Sequence, residues 1–181
     1  MIYDKLDFYF DIEQLSKECN FLLENIGLHE NHNQISLTHT NFINENKWYQ
    51  GCGSLTYQFN GSDVTEKQIK LTEKDFSEFN NDIKDFYIKA VYDEICSKYK
   101  IGRVRLMSLQ HKKVMSMHND TSMRIHIPIV TNENCMMVVD GTVFHMPADG
   151  SAFLVDTTKP HTAFNANHKF TRLHLLFDLH D

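Results

Sequence analysis

The sequence predicts a mainly β chain with flanking helices, an α+β arrangement whose second half forms a sandwich or jelly roll. Three observations carry this. Beyond Gly102, short segments alternate polar and apolar residues, the period of a half-buried strand. Asp-Gly pairs punctuate them at Asp140-Gly141 and Asp149-Gly150, both read as hairpin turns. Before Gly102 the apolar spacing is helical in two long stretches. At 181 residues, one domain with a sizeable core is expected over 1–181. Residues 1–100 would be helical and strand support, and 101–181 the β core.

Taken in order, the first helix is expected from Asp11 to Ile26, with Ile12, Leu15, Cys19, Leu22 and Leu23 on one face. Strand-like pieces follow at Ile35–Thr40 and Leu55–Phe59, and Gly61-Ser62-Asp63 reads as a turn. A long second helix is expected from Glu73 to Tyr99. Thr72 and Asp75 give it a capping-box signature, and Phe76, Phe79, Ile83, Phe86, Ala90 and Ile95 an apolar stripe. Strands are then expected at Arg103–Met107, Arg124–Ile129, Met136–Val139, Thr142–Met146, Ser151–Val155 and Arg172–Phe177. Pro128 inside one of them predicts an edge or a bulge, because proline cannot donate to the ladder.

Composition narrows the function. Hydrophobic residues make up 41%, enough for a packed core rather than a disordered chain. The net charge is −6 and no basic stripe is present, which argues against a nucleic-acid partner. No apolar run reaches the roughly 20 residues that cross a bilayer. The start, MIYDKLDFYF, places acids where a secretory signal carries cations, so a cytoplasmic protein is expected. Cys19, Cys52, Cys96 and Cys135 form no CxxC pair and read as reduced cysteines. Of 18 cationic residues only Arg103, Arg105, Arg124 and Arg172 are arginines, and all four fall in the second half. A guanidinium grips a carboxylate with two parallel hydrogen bonds, which lysine cannot do.

Three features stand in order on the β half. His118-Asn119-Asp120 is an HxD motif. His161 follows 41 residues after Asp120, and Arg172 lies 11 residues further on, ahead of an apolar run. Two imidazoles and one carboxylate on one face of a ferrous ion leave three positions open. A 2-oxo acid fills two and dioxygen the third. Alternation at a strand end would aim His118 and Asp120 the same way, with His161 arriving from another strand. Arg172 would then grip the far carboxylate of 2-oxoglutarate. Each piece alone has a plain structural explanation; their order is more specific.

The words HND at His118, RIHIPIVTNENC from Arg124, FHMPADGSAFLVDTTKPH from Phe144 and TRLHLLFD from Thr171 resemble the aspartyl/asparaginyl β-hydroxylase family of 2-oxoglutarate oxygenases. That group includes bacterial L-proline cis-hydroxylases. The resemblance spans Arg103 to Asp178 and implies a double-stranded β-helix (a jelly-roll, cupin-like core). It implies Fe(II) held by His118, Asp120 and His161, and 2-oxoglutarate held by Arg172. Dioxygen is the other reactant and ascorbate an accessory reductant. Arg124 and His126 match the family pair that lines the co-substrate and substrate pocket. Arg105, on the strand before HxD, is a weaker candidate for a substrate carboxylate. Ser108 and His174 are lesser candidates near the same pocket.

The expected activity is hydroxylation of a free, proline-like amino acid at an unactivated C–H. One alternative is a hydroxylase of Asp, Asn or Pro side chains in a peptide or protein. An alternative of another class is a metal-binding cupin without activity, which would have no need of Arg172. Asp120 completes the triad and argues against a halogenase. The polar stretch Phe59–Thr72 is expected to act as a lid. The free-proline hydroxylases continue beyond the point matching Asp178, so anything that extension supplies is not expected here.

Overall fold

The structure is a computed structural model that describes residues 1–53, 55–59 and 67–181. Its elements run as follows. β1 (Tyr3–Tyr9) leads into α1 (Ile12–Asn25). β2 (Gln34–Ser36) and β3 (Thr38–His39) follow, then β4 (Thr56–Phe59), β5 (Lys67–Lys70), β6 (Glu78–Phe79) and α2 (Tyr87–Cys96). The second half is β7 (Ile101–Leu109), β8 (Lys113–Val114), β9 (Arg124–Val130), β10 (Cys135–Val139), β11 (Thr142–Phe144), β12 (Ser151–Val155), β13 (His161–Asn165) and β14 (Arg172–Leu179).

Two antiparallel sheets make the jelly roll. The larger has the order β1-β12-β9-β14-β7-β2 and the smaller β11-β10-β13-β8. Strand alternation divides the larger sheet into two faces. Val104, Leu106, Ile125, Ile127, Leu173, Leu175 and Phe177 point outward, and pack with Leu15, Cys19 and Leu22 of α1 and Ile88, Val91 and Ile95 of α2. The inward face carries the opposite parity: Arg103 and Arg105 on β7, Arg124 and His126 on β9, Arg172, His174 and Asp178 on β14. All seven are buried. One end of the interior is apolar, filled by Met137, Val139, Phe144, Met146, Phe153 and Val155. No helix among the described residues is long and apolar enough to cross a membrane. The four cysteines are unpaired, and three are buried.

Local chemistry accounts for several elements. Asp11 caps α1 by accepting from the Gln14 amide at 3.0 Å. Asp140 and Gly141, at φ 49° and 78°, form the two-residue turn between Val139 and Thr142, the mirror-type turn expected of an Asp-Gly hairpin. Pro128 sits at a bulge: β14 pairs Leu173 with Val130 but His174 with Pro128, skipping Ile129. Its strand is central rather than an edge.

Three expectations need correction. The single helix over Glu73–Tyr99 does not form. The Thr72–Asp75 capping box closes only one 3-10 turn, Glu73–Asp75. The chain then makes β6, which pairs Phe79 with Thr38, and a second short turn at Asn81–Ile83. The cause lies in Asn80, whose side chain accepts from the Asp82 amide and whose own amide goes to the Leu37 carbonyl. Polar side chains of this kind compete for backbone groups and break helices. Phe76 therefore packs with Ile43 and Leu71 in a separate cluster. Asp149-Gly150 is a turn but not a hairpin, since β11 and β12 lie in different sheets. Gly150, at φ 90°, leaves room for the Phe10 carbonyl, which a Cβ would meet at 2.3 Å. Finally β1, β8 and β13 were not expected as strands. β1 does alternate, with Leu6 and Phe8 packed on the core between exposed neighbours, and it is held by its ladder with β12. The turn at Gly61-Ser62-Asp63 and the centre of the expected lid lie outside the described residues.

Candidate metal and co-substrate site

His118 and His161 face each other across the mouth of the barrel through a two-way backbone bridge, with N–H···O distances of 3.1 and 2.8 Å. Their rings stand 4.3 Å apart. Each Nδ1 lies against a backbone carbonyl, Ser116 O at 2.7 Å and Lys159 O at 3.0 Å. A carbonyl only accepts, so Nδ1 carries the proton and each Nε2 keeps its lone pair for a cation. Asp120 is not on a strand; its amide donates to the Thr157 carbonyl at 2.8 Å. Its Oδ2 lies 3.2 Å from His161 Nε2, and its Oδ1 3.8 Å from His118 Nε2. One ligand atom from each of the three falls within 4.8 Å of the others, a spacing that one ion can satisfy. Asp120 Oδ2 is buried and also pairs with the Arg124 guanidinium, Nη1 at 2.6 Å. An N, N, O donor set at this spacing fits a non-haem ferrous ion.

Behind the triad the four arginines separate into two groups. Arg103, Arg105 and Arg124 converge on Asp178. Asp178 Oδ2 accepts from Arg103 Nε at 2.6 Å and Arg105 Nη2 at 2.8 Å, and Oδ1 from Arg124 Nε at 2.6 Å. Arg105 also donates to Gln34 Oε1 at 2.8 Å, and its buried Nε has no hydrogen-bond partner. Arg105 is 2% exposed, which excludes a solvated surface charge. Burial opposes charge on Asp178, but Arg105, Arg124 and Arg103 overcome it and hold the carboxyl well below the usual range. Burial first, then the neighbouring Arg103, pushes Arg105 down to about 9, still protonated at neutral pH. Burial likewise opposes charge on Asp120, yet His161 and the Arg124 guanidinium bring its pKa below the ordinary value.

Arg172 stands apart. It is 4% exposed and has no carboxylate partner among the described residues. Its Nη2 donates to His174 Nδ1 at 3.0 Å, and His126 Nδ1 lies 3.4 Å from the same nitrogen. Burial first, and then the Arg172 charge, lowers both histidines well below 6.5, so both are neutral. The Nε2 atoms of both are buried without partners. After burial, the charges of Arg172 and then Arg124 act on His126. The result is a buried row with unused hydrogen-bonding capacity at a guanidinium and two imidazoles.

A cleft of about 320 Å³ opens onto His118 and Asp120, two of the three, and is lined also by Gln34, Arg105, Met107 and Met115. A larger one, about 450 Å³, lies beyond Thr121 and Glu73 and contains none of the three.

Of the residues singled out from sequence, His118, Asp120 and His161 come together, and Arg124, His126, Arg172 and Arg105 all turn inward. Ser108 does not join them, because its parity on β7 is that of Val104 and Leu106. Sequence reasoning missed Asp178 as the hub of three arginines. Its even spacing from Arg172 and His174 on one strand was the available signal. Gln34, 71 residues from Arg105, left no local trace.

An inward-facing His/Asp/His set within a jelly roll defines the class of double-stranded β-helix proteins built around one metal ion. Residues 66–181 match the family model described as aspartyl/asparaginyl β-hydroxylase. The chain belongs to that family, and it is a 2-oxoglutarate-dependent non-haem iron hydroxylase whose cofactors are Fe(II) and 2-oxoglutarate. Among solved structures it is similar to AviO1 from Streptomyces viridochromogenes, at 12% identity and TM-score 0.53, covering 99% of this chain and 90% of that one. It is also similar to an oxidoreductase of the 2OG-Fe(II) oxygenase family from Burkholderia pseudomallei, at 15% identity and TM-score 0.52, covering 97% and 82%. Such distant likenesses establish the shared fold. No curated protein matches the chain by sequence.

Proposed function

We propose that this enzyme hydroxylates an amino acid at an unactivated C–H, with His118, Asp120 and His161 holding Fe(II) and Arg172 seating 2-oxoglutarate. The observation that carries the reading is Arg172: a buried guanidinium without a carboxylate among the described residues, beside two neutral imidazoles. An isolated buried cation is costly unless an anion arrives to pair with it. The far carboxylate of 2-oxoglutarate is such an anion, and Arg172 can grip it through two parallel hydrogen bonds. His126, whose Nδ1 lies 3.4 Å from that of His174, adds a second neutral imidazole beside the guanidinium's partner. Bound Fe(II) with 2-oxoglutarate supplies the activation of dioxygen, with succinate and carbon dioxide as co-products. The chain's own residues orient the reactants and keep the interior dry. Arg105 and Arg124 line the cleft and give it a positive wall toward a substrate carboxylate, although Asp178 already holds both, with Met107 and Met115 as its apolar side.

A second reading is hydroxylation of an Asp, Asn or Pro residue within a peptide. The family description favours it, as does a cleft whose rim includes the exposed Asn119 and Gly53. Succinate formation separates the two. The chain, supplied with Fe(II), ascorbate, dioxygen and 2-oxoglutarate, is assayed with each of the twenty amino acids and with short peptides bearing Asp, Asn or Pro. Turnover with a free amino acid is the expected result. Turnover with peptides alone selects the second reading, and silence across both panels defeats the substrate proposal.

A further inference from the structure

We infer that Arg124 is a positioning residue for the carboxylate of Asp120, and that Asp178 holds Arg124 in that role; this rests on the ligand set proposed above. The three ligands are not secured alike. His118 and His161 are fixed twice, by their mutual backbone bridge and by a carbonyl at each Nδ1. Asp120 belongs to no ladder, and its one main-chain tie leaves the side-chain torsions free. What restrains the carboxylate is Arg124, four residues on at the start of β9, with Nη1 2.6 Å from Oδ2. The contact is a short ion pair to a carboxylate oxygen, close enough to orient the group.

Arg124 is itself immobilised. Its Nε donates to Asp178 Oδ1, and the other Asp178 oxygen is clasped by Arg103 and Arg105. The planar fork thus spans two acids at once, Asp120 toward the ion and Asp178 toward the core. Lysine, with a single ammonium on a flexible stem, cannot bridge the two in this way. A rigid chain runs from the last strand through Asp178 and Arg124 to the one ligand that the sheet does not place. Arg124 therefore has a task besides lining the cleft.

Mn(II) affinity of the full chain, measured by calorimetry, tests this, with Co(II) absorption reporting the ligand field and circular dichroism confirming that each variant is folded. Loss of a residue that orients a ligand typically weakens metal binding about 10- to 100-fold. Arg124→Gln is expected to show that loss, with a Co(II) spectrum displaced toward that of Asp120→Ala. Arg124→Lys retains the charge and is expected to remain weak, and it decides the matter if Arg124→Gln does not fold. Wild-type affinity and spectrum in either folded arginine variant overturn the inference and leave the ligand set standing. A wild-type chain that binds no Mn(II), or Asp120→Ala binding as wild type does, overturns the ligand set and the inference with it.

Discussion

Replacing Arg172 by leucine should move two measurements in opposite directions. In the protein without co-substrate, Arg172 is a buried cation with one hydrogen bond to a neutral histidine and no acid beside it among the described residues. Exchanging such a charge for an apolar side chain of similar reach is often neutral or stabilising, by up to a few kcal/mol. With 2-oxoglutarate bound, the same exchange leaves a buried carboxylate without its partner. Truncating one side of a buried charge pair costs about 2–5 kcal/mol, so the dissociation constant should rise roughly 30-fold or more. The assay is calorimetric titration of 2-oxoglutarate into the Mn(II)-loaded chain, alongside thermal melting of the metal-free chain. Arg172→Leu is expected to bind 2-oxoglutarate far more weakly while its Tm holds or rises. Unchanged affinity refutes the anchor. A Tm that falls by several degrees, about 2–4 °C for each kcal/mol lost at this size, shows instead that Arg172 supports the fold.

Acid should destabilise the protein from an unusually high pH. His126 and His174 are held neutral in the folded state, with pKa values well below 6.5, but titrate near 6.5 when unfolded. Below that pH the unfolded chain binds more protons, so stability falls as pH drops, by up to about 1.4 kcal/mol per pH unit for each histidine. Urea midpoints between pH 7.5 and 5.5 should show the slope, and His174→Gln should reduce it; equal slopes remove the assignment. Glu18→Ala should cost about 1–2 kcal/mol, because its carboxylate caps α2 by accepting from the Tyr87 and Ile88 amides at 2.7 and 2.9 Å. A melting point within 1–2 °C of wild type, on the order of what half a kcal/mol would shift, would show that water caps the helix as well.

What could be read from the sequence was what depends on near neighbours. α1 has its cap and its buried stripe within one segment, and the Asp140-Gly141 hairpin needs only two residues with positive φ. The parity of β9 told which side of the sheet Arg124 and His126 occupy, because Ile125 and Ile127 claim the other. The second helix misled because Phe76, Phe79 and Ile83 have helical spacing, while the capacity of Asn80 to bond its own backbone outweighs it. Of the site, the HxD motif, His161 and Arg172 stood out by order and type. The grouping of Arg103, Arg105 and Arg124 around Asp178 did not, since the contacts span 54 to 75 residues and no local pattern encodes them. The Glu18 cap on α2, across about 70 residues, was hidden for the same reason.

β14 carries two cargoes on opposite sides. Leu173, Leu175 and Phe177 face the helices, while Arg172, His174 and Asp178 face the chemistry. It also lies inside the larger sheet, laddered to β7 and β9 along most of its length. Its amide protons are therefore expected among the slowest in the chain to exchange with solvent, and the groups it presents share that durability. Drift in substrate preference is then easier at Asn119, on the open rim, than along this strand, whose inward side chains carry the site.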